Sequence, residues 1–484
     1  MAMKFRLPAL LAGCLFSVIV YATELEHINL PDMGDSSGAL ISPQEEQEFG
    51  AAFFRSLHNK VEINQDTEIQ HYIENLGQQL ASHSDTPGYP FHFFVVLDKT
   101  INAFAGPGGY IGVNSALILL TESESELASV IGHEIAHVTQ RHLYRAFEAA
   151  RRMTLPMAAA TLAAILIGTQ SPAAGQAAIM AVQAGNTQFQ INFTRSNEEE
   201  ADRIGMKILY RSNFDPRSMP IFFERLQQST RFYGHNIPEF LRTHPVSASR
   251  IADTRGRAEN YPYRQYPDSR EYSLTKAKLR VLTTQPLENA IKYFQIRLHQ
   301  GTDWQKHVAA YGLALAYLKQ RQFKNAAEIA RQLLQHYPEQ PQFAMLNAKI
   351  ALRKQDYGQA LSLFGKAIAK FPDNEPLKFA YIESLLFANR PRQSKALLEN
   401  LPSALKTRPV FYRLRAKAEA KLGHEAESQR YLAEYAYATG QTGAAIMHIK
   451  LAQKAKDLNF YIKAILDERL QQLLAEQKLK QAQR

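Results

Sequence analysis

The sequence predicts a mainly α-helical protein with one small β-sheet, in which an α+β domain precedes an α-solenoid. Three observations support this fold class. Strand patterns occur in residues 91–113, a helix with the motif H-E-x-x-H follows them, and a 34-residue period appears after residue 300. Since 484 residues exceed what one ordinary hydrophobic core accommodates, we expect at least two domains.

The N-terminal residues have the pattern of a secretory signal. Two basic residues precede the apolar run 7–20, and Ala22 offers a small residue for cleavage, so residues 1–22 are predicted to be a signal peptide. Cys14 lies in a sequence similar to a lipoprotein box, but the apolar run continues well past it. Lipid anchoring at Cys14 is therefore the lesser alternative, and we expect an exported protein whose signal is removed.

The residues after the signal predict a lead-in, two helices and a strand. Residues 23–43 are polar and rich in glycine and serine, which predicts a flexible lead-in. A helix is expected to begin at Ser42, because a capping serine precedes a proline at the first helical position. Apolar side chains at helical spacing predict a second helix over residues 66–82, and the aromatic run 91–97 predicts a strand.

Residues 102–113 predict two strands joined by a tight turn. The sequence Pro-Gly-Gly at 107–109 supplies the turn, because glycine adopts positive φ values without strain. We expect a substrate to lie extended along this hairpin and to add a strand by main-chain hydrogen bonds. The expected contact residues are Asn102, Phe104, Gly108 and Gly109.

The next helix contains the residues that point to metal chemistry. Thr121 and Glu124 match a capping box at its start, and His133 and His137 follow on one face, one turn apart. Two imidazoles at this spacing bind one metal ion, and Glu134 beside them is a candidate general base, as in zincin-type sites. The single cysteine lies in the predicted signal peptide, so further ligands must be histidines or carboxylates.

A catalytic zinc ion takes three protein ligands and keeps one position for water, so a third ligand is needed. Glu198 is the best candidate, in a helix that a capping box at Ser196 is expected to open. Asp202, one turn further, is placed to accept a ring N–H from a ligating histidine. The alternative for Glu198 is an exposed first-turn acid favoured by the helix dipole.

His244, in the sequence Thr-His-Pro, has three interpretations. It stabilises the oxyanion of the reaction, or it is a fourth ligand that displaces the catalytic water, or it is a loop histidine without a role. Arg250 is predicted to organise this segment rather than to act in catalysis. The remaining histidines near the motif are predicted to be structural: His71, His92, His142 and His235.

Residues 153–184 are apolar and alanine-rich in two halves, each shorter than the roughly 20 residues that cross a bilayer. We expect two buried helices that pack on the catalytic domain. The alternative is a hairpin that touches the membrane or lines the cleft.

From about residue 280 the pattern is entirely helical and repeats every 34 residues, the spacing of tetratricopeptide repeats. The matched pairs are Phe323 and Tyr357, Ala326 and Ala360, and Pro338 and Pro372. A generic alanine-rich helical bundle is the alternative. The predicted bounds are 44–265 for the metallopeptidase domain, 266–300 for linking helices and 301–484 for the repeats.

The formal net charge of +10 is unevenly distributed. Residues 301–484 contain 29 Lys and Arg against 16 Asp and Glu, so the repeat half is the basic part of the chain. This charge favours acidic proteins or an anionic membrane surface as partners. The sequence contains no nucleic-acid-binding motif, and nucleic acid is not an expected partner.

Taken together, these residues resemble the gluzincin metallopeptidases related to HtpX and Oma1. The resemblance rests on the hairpin at 102–113, the H-E-x-x-H helix, Glu198 with Asp202, and His244 with Arg250. With the repeats included, it spans nearly the whole mature chain.

The resemblance implies one zinc ion held by His133, His137 and Glu198, with Glu134 and His244 in catalysis. It implies a periplasmic zinc endopeptidase with chaperone-like activity, which degrades misassembled outer-membrane proteins and promotes their assembly. The basic repeats are then expected to dock onto the barrel-assembly machinery. The alternative is a tetratricopeptide scaffold or chaperone whose peptidase site is latent or residual.

Overall fold

The computed structural model describes residues 41–149, 180, 194–233 and 238–482. These residues form a mainly helical chain with one three-stranded sheet, as the sequence predicts. The predicted signal peptide, nearly all of the lead-in, and the segment 153–184 apart from residue 180 lie outside the described residues. Within the described ranges, no helix has both the length and the apolar character that crossing a bilayer requires.

The first two helices confirm the sequence prediction. Helix α1 spans Pro43–Leu57, and the side chains of Ser42 and Glu45 form its capping box. Helix α2 spans Thr67–Ala81 and buries its apolar face in the core of the first domain.

The sheet contains β1 (His92–Val96), β2 (Ala103–Ala105) and β3 (Tyr110–Asn114) in the order β1-β3-β2. β1 is parallel to β3 and β2 is antiparallel to it, so the predicted hairpin is confirmed. A 3₁₀ turn at Pro107–Gly109 joins its strands, with positive φ at Gly108 (67°) and Gly109 (76°). β2 is therefore an edge strand among the described strands.

A short helix, α3 (Ser115–Leu120), separates the sheet from α4 (Glu124–Thr139). Because α3 lies directly before α4, the predicted capping box at Thr121 was wrong. Thr121 ends α3, and its hydroxyl donates to the carbonyl of Ile118 at 2.8 Å. The cap of α4 is Ser123, whose hydroxyl accepts the N–H of Glu126 at 3.2 Å.

The first domain continues with α5 (142–149), α6 (194–211), α7 (Ser218–Tyr233), α8 (Glu239–Thr243) and α9 (Ala248–Ala258). The chain is already helical at residue 194, so Ser196 lies inside α6 and the predicted cap there was wrong. α2, the sheet, α4, α6 and α7 share one hydrophobic core.

A close contact between α4 and α6 brings the two parts of the candidate site together. A Cβ atom built on Gly205 would lie 3.2 Å from the backbone nitrogen of His133, and one on Gly132 would lie 3.4 Å from the carbonyl oxygen of Gly205. Glycine at both positions lets the helix backbones approach closely. The carboxylate side chains of α6 thereby reach the histidines of α4.

The second half is a succession of antiparallel helices, which confirms the tetratricopeptide architecture. Their bounds are α10 Arg270–Thr283, α11 Leu287–Arg297, α12 Asp303–Lys319, α13 Phe323–His336, α14 Pro341–Arg353, α15 Tyr357–Lys370, α16 Glu375–Phe387, α17 Pro391–Glu399, α18 Ser403–Lys406, α19 Pro409–Leu422, α20 Glu425–Ala438, α21 Thr442–Ala452 and α22 Phe460–Ala482. The matched alanines Ala326 and Ala360 are fully buried. Pro338 and Pro372 lie just beyond α13 and α15, as the period predicts.

The helices from α10 onward contact the first domain near both ends of their array. At the near end, Lys278 of α10 pairs with Asp66 at 2.7 Å and with Glu68. At the far end, the Asn59 side chain donates to the carbonyl of Gly440 at 3.1 Å. The helical repeats and the first domain therefore form one continuous structure.

Candidate active site

Helix α4 positions the residues of the motif. His133 and Glu134 are buried, and His137 is partly buried at the edge of a cavity of 270 Å³. The Nε2 atoms of His133 and His137 lie 3.0 Å apart, as expected for histidines one turn apart on the same helix face.

Glu198 and His244 complete a compact cluster with these histidines. One potential ligand atom from each of His133, His137, Glu198 and His244 lies within 4.8 Å of the others. Glu198 Oε1 is 3.3 Å from His137 Nε2 and 3.0 Å from His244 Nδ1. Glu198 is thus buried in the cluster and is not the exposed first-turn acid of the alternative interpretation.

Asp202 and Arg250 surround the far side of His133. Asp202 Oδ1 lies 3.0 Å from His133 Nδ1, the ring nitrogen that faces away from the cluster. Arg250 donates two hydrogen bonds of 2.7 Å to the Asp202 carboxylate and pairs with Glu198 at 2.8 Å. A carboxylate beside Nδ1 holds the ring orientation of His133, so that its Nε2 atom faces the cluster.

His142 orients the ring of His137 as Asp202 orients that of His133, and this role of His142 was not predicted from the sequence. His142 Nδ1 lies 2.8 Å from His137 Nδ1, and His142 Nε2 lies 3.1 Å from Glu200 Oε2. When His142 Nε2–H donates to Glu200, His142 Nδ1 has a lone pair and accepts a hydrogen bond from His137 Nδ1–H. The Nε2 lone pair of His137 then faces the cluster. The prediction that His142 is only structural assumed one continuous helix. Instead α4 ends at Thr139, and Arg141 has φ of +53° before α5 begins.

The site is built to stabilise positive charge at its centre. Burial opposes protonation of His133, but hydrogen bonds with Asp202 and Glu198 outweigh it and raise its pKa to about 10. Burial lowers the pKa of His137 to about 3. Burial favours neutral carboxyl groups, yet the three histidines hold the pKa of Glu198 well below its usual range, and His133 and Arg250 lower that of Asp202. Two buried carboxylates thus remain ionised beside the cluster.

The donor set fits a divalent metal ion. With their Nδ1 atoms beside Asp202 and His142, His133 and His137 both direct Nε2 to the same point, an arrangement that is stable only with a proton or a metal cation between the two nitrogens. Two imidazole nitrogens with a carboxylate oxygen are the ligands of catalytic zinc sites. The buried cluster therefore has the ligand types and the carboxylate charge that a divalent metal ion favours.

Glu134 lies beside the cluster without being part of it. Its Oε1 is 3.5 Å from His244 Nε2, and the backbone N–H of Ala105 in β2 is a further contact of this carboxylate. Burial raises the pKa of Glu134, against the opposing effect of His244 and His133. A buried carboxylate with a raised pKa is suited to accept a proton.

The predicted substrate residues fall into two groups. Asn102 immediately precedes the edge strand β2, and Phe104 of β2 lines the 270 Å³ cavity together with Glu134 and His137. Gly108 and Gly109 lie in the buried turn instead, against α1 and against Tyr89 and Pro90. A Cβ atom on Gly108 would lie 3.0 Å from the α1 backbone, so these glycines serve the packing of the turn, and their contact with a substrate stays a prediction.

The fold and the site define a metallopeptidase domain joined to tetratricopeptide repeats. Residues 67–258 match the profile of peptidase family M48, and residues 351–418 match a tetratricopeptide repeat profile. The chain is 33% identical over 444 residues to the beta-barrel assembly-enhancing protease of Escherichia coli (strain K12), covering 92% of this chain and 91% of that protein. The corresponding protein of Yersinia pestis is equally similar, at 33% identity over the same length.

The chain therefore belongs to peptidase family M48, in the group of the beta-barrel assembly-enhancing proteases. A more distant similarity connects it with mitochondrial metalloendopeptidase OMA1 of Arabidopsis thaliana, at 30% identity over 190 residues, 39% of this chain and 36% of that protein. This similarity agrees with the resemblance to Oma1-related metallopeptidases that the motif residues indicate.

Proposed function

We propose that the protein is a zinc-dependent endopeptidase with chaperone-like activity, which degrades misassembled outer-membrane proteins and promotes their assembly in the periplasm. One observation carries the catalytic part of this proposal: His133, His137, Glu198 and His244 present ligand atoms within 4.8 Å of one another, with Glu134 beside them.

His133, His137 and Glu198 would hold the ion, since they combine two imidazole Nε2 atoms with a buried carboxylate. Zinc bound there supplies a Lewis acid that polarises the scissile carbonyl and lowers the pKa of water. Asp202 and Arg250 keep the His133 ring in position, and His142 does so for His137.

Glu134 is the proposed general base. It accepts the proton of the attacking water and then donates it to the nitrogen of the leaving amine. Its burial supports this role, because the raised pKa favours holding the proton between the two steps.

The edge strand β2 is the proposed binding site for an extended substrate. Its free side offers main-chain groups for an added strand, and Phe104 lies in the cavity that also contains Glu134 and His137. The start of α8 lies close to this edge, because Phe240 N–H donates to the carbonyl of Ile101 at 3.0 Å.

His244 is proposed to close the site as a fourth ligand. Its Nδ1 lies 3.0 Å from Glu198 Oε1 and 3.4 Å from His133 Nε2, within the ligand cluster and not to one side of it. The same short segment carries Phe240 at the substrate edge and His244 at the cluster, so its displacement would open both. This geometry favours the gate over the oxyanion interpretation.

The substrate class and location rest on the relatives named beta-barrel assembly-enhancing protease, which share most of their length with this chain. The basic repeat half supports docking to acidic surfaces of an assembly partner or of the membrane. The predicted signal peptide supports the periplasm as the compartment.

A second candidate, a scaffold or chaperone with a latent peptidase, is favoured by one observation, the position of His244 in the cluster. Cells that express only Glu134→Gln separate the two functions. If outer-membrane assembly still proceeds normally, the chaperone role is independent of proteolysis. If assembly fails, a scaffold function that needs no peptidase activity is excluded.

Zinc analysis tests the catalytic proposal. We expect one zinc per chain in wild type and a loss of bound zinc in His133→Ala and Glu198→Ala, with His336→Ala as the matched surface control. Full zinc occupancy in both cluster variants would contradict the assignment of the ligands.

A further inference from the structure

A cavity of 530 Å³ lies where the first domain meets the first helices of the repeat half. Its wall is formed by residues 119–122, which precede α4, and by α10, α11 and α12. It shares no residue with the metal cluster. The volume lies in the range of small-molecule binding sites.

Three cationic side chains line this cavity: Lys276 and Arg280 on α10 and Arg297 on α11. Within the part of the chain that the structure describes, none of them forms an ion pair; Lys276 donates instead to the carbonyl of Thr121 and to the Tyr272 hydroxyl. Burial and repulsion by Arg280 lower the pKa of Lys276 to about 8. Clustered cations that form no ion pair among the described residues favour an anion in the cavity.

The wall also contains two acidic side chains, which act on Lys276 and have further partners outside the cavity. Glu122 Oε1 lies 2.6 Å from Arg225, and Asp268 Oδ1 accepts the backbone N–H of Glu124 at 2.7 Å. They reduce the positive charge of the cavity without cancelling it. The balance suits an anion with a single charge better than one with several.

Tyr293 orders the two arginines. The guanidinium of Arg280 lies 4.1 Å from the centre of its ring, and that of Arg297 lies 4.7 Å from it. A guanidinium stacked on a ring uses its face and keeps the N–H groups of its edge for a planar acceptor. Much of the remaining wall is apolar: Leu119, Leu120, Ala277, Phe294 and Val308.

We propose that this cavity binds a carboxylate carried on an apolar group, with Arg280 and Arg297 as its charged contacts. A carboxylate is the planar, singly charged acceptor that guanidinium edges match, and the apolar side chains of the wall offer contacts to the rest of the ligand. The free C-terminus of a polypeptide and a small carboxylic acid share this chemistry. The inference does not depend on peptidase activity.

Trp304 lines the cavity and is the only tryptophan of the chain, so its fluorescence reports binding in the full-length protein. The probes are acetyl-Leu-Phe with a free carboxylate, its C-terminal amide, 3-phenylpropanoate and 3-phenylpropanamide. We expect a saturable change with at least one carboxylate and binding at least about tenfold weaker for the matching amide. The carboxylate that binds identifies the source, a chain terminus or a small acid.

Arg280→Gln and Arg297→Gln should each weaken carboxylate binding at least about tenfold and leave the weak amide binding unchanged. Arg353→Gln, an exposed arginine of α14 outside the cavity, is the matched control and should bind as wild type does. Circular dichroism establishes that the variants fold; if they do not, the comparison of carboxylate with amide on wild type decides. Equal affinity for carboxylate and amide, no saturable change with any probe, or wild-type affinity in both folded arginine variants would overturn the proposal.

Discussion

The Nδ1 atom of His142 lies 2.8 Å from the Nδ1 atom of His137, so a histidine outside the motif fixes the ring of one inside it. Metal sites depend on such contacts as well as on the ligands themselves. His133 has its equivalent in Asp202, at 3.0 Å. Each candidate ligand of α4 is therefore held in orientation by a residue that contacts its Nδ1 atom, on the side away from the cluster.

Replacing His142 by alanine is expected to lower zinc affinity about 10- to 100-fold, because His137 loses the acceptor that sets its tautomer. Competition with a chromophoric chelator measures this without reference to activity. His336→Ala, on the exposed surface of α13, is the control and should keep wild-type affinity. Unchanged zinc affinity in His142→Ala would mean that the contact has no positioning role.

His244→Ala is expected to raise the rate of casein cleavage, because it removes the proposed fourth ligand and frees that position. The measurement compares initial rates at equal zinc content. A lower rate would support the oxyanion interpretation instead. If the rate does not change, neither role is correct.

The crossing of α4 and α6 predicts opposite effects of the same substitution at two helical glycines. Gly205→Ala places a Cβ 3.2 Å from the backbone nitrogen of His133 and should lower the free energy of unfolding by about 1–3 kcal/mol. Gly365→Ala on α15 meets no atom within 4 Å and should raise it by about 0.5–1 kcal/mol. Urea unfolding measures both. A Gly205→Ala protein as stable as Gly365→Ala would show that the contact between α4 and α6 accommodates an added methyl group.

The contact between the two halves predicts a pH dependence of stability. Burial raises the pKa of Asp66, but Lys278 and Lys349 outweigh it and lower the value from 3.8 to about 2. A depressed pKa contributes stability above pH 4 that is lost as the pH falls toward 2, about 2 kcal/mol in all. Asp66→Asn removes the charge and still caps α2, so its stability should change less across this window. Parallel pH profiles of the two proteins would refute the pairing.

Much of the fold was accessible from sequence because its signals are local. The 34-residue period, the Pro-Gly-Gly turn and the spacing of His133 and His137 each depend on residues close in the chain. The caps at Thr121 and Ser196 were mispredicted because Thr121 ends a short helix, α3, and because the chain is already helical at residue 194. Capping motifs reveal a possible helix start, and tertiary structure decides whether it is used.

Prediction of the site from the sequence has the same limit, because part of the site depends on tertiary structure. The sequence analysis named Asp202 and Arg250, which the structure places around His133 and Glu198. It missed His142, because on one continuous helix a residue five positions after His137 faces away. Only the change of direction at Arg141, with φ of +53°, returns His142 to the site. A non-glycine residue at positive φ leaves no clear signal in the sequence.

The most direct test of the central claim is the rate of casein cleavage by wild type and by Glu134→Gln, both at full zinc occupancy. Glutamine keeps the shape and volume of the side chain and removes its ability to accept a proton. We expect wild type to cleave in a zinc-dependent manner and Glu134→Gln to lose at least about 100-fold in rate. Equal degradation by the two proteins would contradict the assignment of this site as the peptidase centre.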